Sequence, residues 1–163
     1  MNAFIDANGV LVAWGYMEAN NGDTLVEVPE AFNEIPGTVS TPDKGVTWVP
    51  YTAPVSPGAT AVTALASGLT IASTATPALN GTYAIDQLSQ MDIIAIETSI
   101  NAGKGFPGGA TVFNYADATG AFHSFTQANF TNFAAAIRDY VYELKSVIAG
   151  ASTTLPSATS TIA

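Results

Sequence analysis

The sequence predicts an α+β protein with a small N-terminal antiparallel β unit, an extended uncharged arm and a C-terminal helix–β-hairpin–helix module. Three observations lead to this prediction. Short segments of alternating apolar and polar residues, separated by turns, fill residues 1–52. Residues 45–85 contain no charged side chain. Beyond residue 79, two long segments repeat apolar residues at spacings of three and four, with a glycine-rich turn between them.

The N-terminal unit, residues 1–52, is predicted to begin with a β-hairpin. Asn8 and Gly9 can take the positive φ angles of a tight turn, and apolar segments flank them. A third strand is predicted at residues 24–28, where apolar and polar residues alternate before a proline, and a fourth at residues 45–49. We therefore expect this unit to be a small antiparallel sheet.

Residues 53–78 have two interpretations, a solvated linker or an extended arm that carries a strand at residues 68–72. The segment is rich in Thr, Ala, Ser, Val and Pro, which favours extended structure over helix and omits the charges that normally protect strand edges. Its apolar residues are uncommon in linkers and favour the arm. We expect such an arm to be covered by another subunit.

The C-terminal module, residues 79–150, is predicted to be a helix, a hairpin and a second helix. The first helix is predicted at residues 82–102 and ends at Gly103, which suits a helix C-terminus. Ile93 and Ile94 widen its apolar face, which indicates contact on more than one side. A hairpin is expected within residues 111–125, and the last helix runs from Thr126, a suitable N-cap, to Gly150.

The tail, residues 151–163, is rich in Ser and Thr and has no charged side chain. Its content of large aliphatic residues is too low for a core of its own. We expect it either to fray or to add a strand to a neighbouring subunit.

Charge and composition exclude several classes of function. The chain has 163 residues and a net charge of −9, from 13 acids and four Lys or Arg. So few cations argue against binding to nucleic acid or to an anionic membrane. Only 10% of residues are charged, against about 25% in an ordinary soluble domain. This deficit predicts a surface that is covered by oligomerisation or by a partner.

The chain has no cysteine, which excludes disulfides, thiolate metal sites and a cysteine nucleophile. Residues 1–6 lack the basic start and apolar run of a signal peptide, and no apolar stretch approaches the ~20 residues of a membrane span. We therefore expect a soluble protein that is made in the cytoplasm.

His123 is the only histidine and therefore the only candidate base for a Ser-His-Asp arrangement, with Asp117 and Ser124 as candidate partners. Adjacent residues of a strand point to opposite faces, so His123 and Ser124 are not expected to meet. We predict an ordinary hairpin histidine and no catalytic residue. The chain is not expected to be an enzyme.

Metal and phosphate sites are not predicted either. Asp6 to Gly9 resembles the opening of a calcium loop but lacks the remaining ligands, so a hairpin turn explains it better. Residues 103–109 combine glycines with Lys104 but lack the order of a phosphate-binding loop. The other acids are best explained as solvated: Glu27, Glu30, Glu34, Asp86, Asp92 and Glu97. No metal or cofactor is expected.

Aromatic residues are concentrated in the N-terminal unit, where Trp14, Trp48 and Tyr51 are accompanied by Tyr16 and Phe32. Such a set can form a small core, anchor a protein interface or stack on a sugar. Core or interface is the commoner use. We predict that Trp14, Trp48 and Tyr51 dock on another protein, with carbohydrate binding as the alternative.

Three motifs in the C-terminal half are similar to a known family. They are Leu79-Asn80-Gly81-Thr82-Tyr83-Ala84-Ile85-Asp86, the turn Gly105-Phe106-Pro107-Gly108-Gly109, and Asp139-Tyr140-Val141-Tyr142. Over residues 79–148 the chain resembles poorly characterised proteins encoded among the tail and tail-fibre genes of tailed bacteriophages and prophages. The resemblance implies a virion component at the tail, tail tip or fibre attachment region, made in the host cytoplasm. It implies no catalytic residue.

Composition and resemblance together predict a structural protein that acts by assembly with other tail or fibre proteins and with its own copies. A trimer is expected by analogy with tail fibres. The arm and tail are expected to cross to neighbours by strand addition. The alternatives are a receptor- or carbohydrate-binding module for host attachment and, less favoured, a hydrolase. The predicted helical interface residues are Ile96, Ile100, Phe133, Ile137, Val141 and Leu144.

Overall fold

The computed structural model describes all residues, Met1–Ala163, and confirms the α+β class. The chain forms two compact units, Met1–Pro54 and Val55–Ala163. All α-helices lie in the second unit, and small sheets occur in both. No helix combines the length and the apolar character that crossing a membrane requires.

The first unit is built on a three-stranded antiparallel sheet of order β2-β1-β3 and a separate pair, β4 with β5. The predicted hairpin is confirmed, and Asp6 Oδ1 holds its turn by accepting the N–H groups of Asn8 and Val10. Ala3, Ile5 and neighbouring aliphatic residues form the core. The strands are β1 Asn2–Ile5, β2 Leu11–Gly15, β3 Thr24–Glu27, β4 Val39–Ser40 and β5 Val49–Pro50.

The predicted strand at residues 45–49 is wrong for all but its last residue. Asp43 Oδ1 accepts the Thr47 N–H and the Thr41 hydroxyl, which holds the segment in a loop. Pairing begins only at Val49, opposite Ser40. A polar side chain that binds nearby backbone groups thus replaces a ladder of strand hydrogen bonds.

The second unit combines three helices with two small sheets, one of order β10-β6-β7 and one made by the β8–β9 hairpin. Short 3₁₀ turns occur at Pro77–Leu79 and Pro107–Gly109. The helices are α1 Pro57–Ser67, α2 Gln87–Asn101 and α3 Gln127–Ile148. The strands are β6 Leu69–Ser73, β7 Gly81–Tyr83, β8 Phe113–Ala116, β9 Phe122–Phe125 and β10 Thr159–Ile162.

The prediction of an extended arm at residues 53–78 is wrong. Ser56 caps α1 by accepting the Ala59 N–H, and proline is well tolerated at the first helical position, where Pro57 stands. Ala61 is fully buried, and α1 packs against α3. The chain itself therefore covers one side of α1 and most of β6. The predicted strand at residues 68–72 is confirmed as β6.

The predicted start of α2 at residue 82 is also wrong. Residues 81–83 pair with β6 as strand β7, and the helix begins only after Asp86. The Asp86 carboxylate caps α2 by accepting the N–H groups of Leu88 and Ser89. The hairpin and α3 are confirmed, and Thr126 caps α3 as predicted, by accepting the Asn129 N–H.

The tail adds a strand to its own chain, which corrects the expectation that it frays. Residues Thr159–Ile162 form β10, which pairs in parallel with β6 of the same chain. Ile162 is buried in the core of the second unit. One buried side chain and a ladder of backbone hydrogen bonds therefore hold the C-terminus.

An aromatic cluster forms the centre of the second unit. The ring of Phe133 lies 4.8 Å from Tyr83 and 5.0 Å from Phe125, measured between ring centroids. Phe130 lies 5.6 Å from Phe133 and completes the contacts from α3. Offset and edge-to-face packing of this kind stabilises a core beyond the burial of area alone. The cluster fixes α3 against the hairpin and β7.

Candidate interaction surface

Four of the predicted interface residues lie on the apolar stripe of α3. Phe133, Ile137, Val141 and Leu144 are buried in the core of their own chain. Their one-sided spacing faces α1, α2 and the small sheets, so the amphipathic stripe of α3 is explained by folding. The interface prediction is therefore wrong for Phe133 and Leu144, which are fully buried, whereas Ile137 and Val141 line the floor of the groove that is described below.

Ile96 and Ile100 of α2 are half-buried and pack against the same core. Together with the buried Ile93 they form the inner face of α2. The inner face of α2 belongs to the fold.

The outer face of α2 exposes three large apolar side chains among polar ones. Leu88, Met91 and Ile94 lie on this side and are 69%, 60% and 63% exposed. A surface helix normally presents polar residues to water opposite its buried stripe. The breadth of the apolar pattern at Ile93 and Ile94 was a sequence signal for this second face, but spacing alone did not show which face is buried.

A groove of about 250 Å³ runs beside this outer face, between α2 and α3. Its floor is apolar, with Ile93 from α2 and Ala134, Ile137 and Val141 from α3. Its sides are formed by Gln90 and Ile94 on α2 and by Arg138, Tyr142 and Lys145 on α3. We refer to the groove and the exposed Leu88, Met91 and Ile94 together as the α2–α3 surface.

The charged residues that line the groove are both basic, and both lie on α3. Arg138 and Lys145, which are exposed on α3, are two of the four basic residues in the chain. Arg138 pairs with its neighbour Asp139 at 2.7 Å, in a contact that is open to solvent and therefore weak. The acids of α2, Asp92 and Glu97, have no basic neighbour on that helix. The α2–α3 surface thus combines an apolar floor with a basic edge.

The aromatic residues of the first unit form a supported cluster. The ring of Phe32 lies between the two tryptophans, 6.1 Å from Trp14 and 5.0 Å from Trp48. The Trp14 indole N–H donates to the Glu34 carbonyl at 2.7 Å. Trp48 and Tyr51 are half-buried, and Trp14 is 36% exposed. Of the three predicted docking residues, Trp14 has the most accessible ring.

Of the two candidate partners that the sequence offers for His123, only Asp117 contacts it. His123 Nε2 lies 3.2 Å from Asp117 Oδ2, and Nδ1 lies 2.7 Å from the Ala78 carbonyl oxygen. The Ser124 hydroxyl instead donates to Asn114 Oδ1. His123 therefore joins the hairpin to the turn at Pro77–Leu79, and the serine stands apart from it.

Asp117 is held as a carboxylate by the turn that it closes. The Thr119 hydroxyl donates to Oδ1, and the Thr119 and Ala121 N–H groups donate to the same oxygen. These bonds, led by the Thr119 hydroxyl and helped by His123, lower the pKa of Asp117 to about 2. The pair acts as a structural clamp on the hairpin.

The side chains of His, Asp and Glu nowhere form a group of three that could hold a metal ion. Known proteins supply no further assignment: no family model matches the chain, and neither curated proteins nor solved structures gave a match.

Proposed function

We propose that this chain is a structural component of a tailed-bacteriophage virion, at the tail, tail tip or fibre attachment region, and that it assembles through the α2–α3 surface. The observation that carries the proposal is the exposure of Leu88, Met91 and Ile94 on one face of α2. Contiguous exposed apolar residues of this kind mark interaction surfaces. The unusually low charge of the chain supports the same conclusion.

The energetics favour a covered α2. Burying a large aliphatic side chain stabilises by about 1.5–3 kcal/mol relative to leaving it in water. Three such side chains lie together here, each already about one-third covered, so a partner gains less than three times that amount before the cost of association.

The location in a virion comes from the resemblance, and the structure explains its motifs as parts of the fold. Tyr83 is buried and donates its hydroxyl to the Leu79 carbonyl, and Asp86 caps α2. Gly105 takes a φ of +69° in the turn, and Tyr140 and Val141 are buried on α3. The motifs that carry the resemblance therefore position the core and the helix termini of this chain.

Carbohydrate recognition by the first unit is the second candidate. Trp14 is partly exposed, and Tyr16 is 76% exposed with its hydroxyl donating to Glu30 Oε1. Exposed aromatic rings beside a carboxylate can bind sugars through stacking and hydrogen bonds. Glycan binding that is lost in Trp14→Ala but kept in Tyr142→Ala would support this function.

Particle incorporation tests the main proposal. Virions are purified on a density gradient from a culture whose genome carries the gene, and the amount of each protein in them is measured by quantitative mass spectrometry. We expect the chain at a fixed ratio to tail proteins, and we expect Met91→Glu to be lost from particles while the purified variant keeps its helical circular dichroism. The matched control is Val62→Glu, which is 55% exposed on α1. Recovery of the wild-type chain only from the soluble lysate contradicts the proposal.

A further inference from the structure

We infer that the partner on the α2–α3 surface is a second copy of this chain, related to the first by two-fold symmetry. This inference rests on the proposed function, because it names the partner of the surface through which the chain is proposed to assemble. In this arrangement, the outer face of α2 in each copy enters the groove of the other.

The dimensions of the groove suit side chains better than a small molecule. Its volume of about 250 Å³ lies below the range of about 300–1,000 Å³ that is typical of ligand pockets. An α-helix rises about 1.5 Å per residue, so the stretch of α2 from Leu88 to Ile94 is about 9 Å long and the α3 side of the groove, from Ala134 to Lys145, is about 16 Å long. The exposed face of one α2 therefore fits within the length of the groove.

Both halves of the proposed contact belong to one continuous surface. Ile94 lines the groove and is also part of the exposed face of α2. A two-fold interface uses the same patch on both subunits, so a projecting face and a receiving groove must lie side by side. Two copies of α2 and α3 would then form a four-helix arrangement with an apolar centre.

Charge complementarity favours a copy of this chain. The groove presents Arg138 and Lys145, and the flank of α2 presents the exposed Asp92. In the proposed dimer, Asp92 of the second copy would lie beside these cations, of which Arg138 already makes a solvent-exposed pair with Asp139 of its own chain. These contacts offset part of the repulsion between two chains that each carry a net charge of −9.

Charge reversal on the full-length chain tests the contact. We expect wild type to form a dimer in sedimentation velocity, and Asp92→Lys and the double variant Arg138→Glu/Lys145→Glu each to dimerise at least about tenfold more weakly at low salt. Because the reversed charges are complementary to each other, an equimolar mixture of the two variants should recover the dimer. Glu143→Lys, an exposed change that lies outside the groove lining, is the matched control and should dimerise like wild type.

Three results would overturn the inference: a wild-type monomer at every concentration, a trimer, or a dimer that Met91→Glu and the charge reversals leave unchanged. Capture of a different protein by a monomeric chain would also overturn it. These outcomes are separate from particle incorporation, since a monomer can be built into a virion and a dimer can be absent from one. Helical circular dichroism of each variant confirms that the fold is intact.

Discussion

Replacing Phe133 by alanine tests whether this residue belongs to the core of the chain or to an interface between chains. The side chain is fully buried, and its ring lies 4.8 Å from Tyr83, 5.0 Å from Phe125 and 5.6 Å from Phe130. Phe133→Ala removes these contacts and leaves a cavity, which costs about 3–5 kcal/mol. The total stability of a domain is about 5–15 kcal/mol. We therefore expect a large loss of stability in the second unit.

The chain offers a clean assay for this loss. All three helices lie in the second unit and both tryptophans in the first, so circular dichroism at 222 nm follows the second unit and indole fluorescence the first. We expect the urea midpoint at 222 nm to be lower for Phe133→Ala than for wild type, and the difference to be the same at low and at high protein concentration. Phe122→Ala, an identical change at a side chain that is 74% exposed, should alter stability by no more than about 0.5 kcal/mol.

The opposite pattern would refute the reasoning. If Phe133→Ala kept the urea midpoint and instead reduced the size of an oligomer, Phe133 would lie at an interface, as the apolar spacing of α3 first predicts. The burial of Phe133 within one chain would then be wrong, and with it the assignment of the α3 stripe to the core.

Three further perturbations test local features by thermal unfolding at 222 nm. The pKa of Asp117 is lowered from 3.8 to about 2, so the stability that its carboxylate contributes is complete above pH 4 and is lost as the pH falls from about 4 to about 2. Asp117→Asn should remove this acid sensitivity. An unchanged pH profile in that variant would contradict the clamp. Thr126→Ala should cost about 1 kcal/mol by removing the cap on the Asn129 N–H, whereas Thr126→Ser should retain most of it. Gly68→Ala should lower the free energy of unfolding by about 1–3 kcal/mol or more, because φ is +87° and a Cβ would lie 2.5 Å from the Tyr83 carbonyl oxygen. Wild-type stability in that variant would show that the turn is placed wrongly.

The α3 helix was predictable because its pattern is one-sided. Apolar residues at Phe133, Ile137 and Leu144 alternate with polar residues that face water, and Thr126 is a strong start signal. The α2 helix was predictable only as a helix. With apolar residues on all sides, its spacing allows more than one buried face, and contact with α3 decides that Ile93 is covered and Leu88 is not.

The segment at residues 53–78 was mispredicted because composition outweighed local signals. Thr, Val and Pro favour extended structure, but Ser56 and Pro57 together form a good helix start, and alanines allow α1 to approach α3 closely. The pairing of β10 with β6 joins the chain end to residues far away in sequence. A short strand of Ser and Thr carries no signal for such a partner.

The His123–Asp117 pair was within reach of the sequence, but the geometry of the turn decides it. The chain reverses between Asp117 and Ala121, so Oδ1 of Asp117 binds the turn and Oδ2 faces back along the hairpin to His123. The separation of Ser124 followed correctly from the alternation of side chains along a strand.

The solution mass of the full-length chain, measured by light scattering over a concentration series with wild type and Met91→Glu in parallel, tests most directly whether the α2–α3 surface is an assembly surface. We predict twice the 16.7 kDa chain mass for wild type at higher concentration, and the single chain mass for Met91→Glu with unchanged helical content. Two results would contradict this. One is a wild-type chain that stays monomeric at every concentration and is also absent from purified virions. The other is a Met91→Glu variant that assembles like wild type.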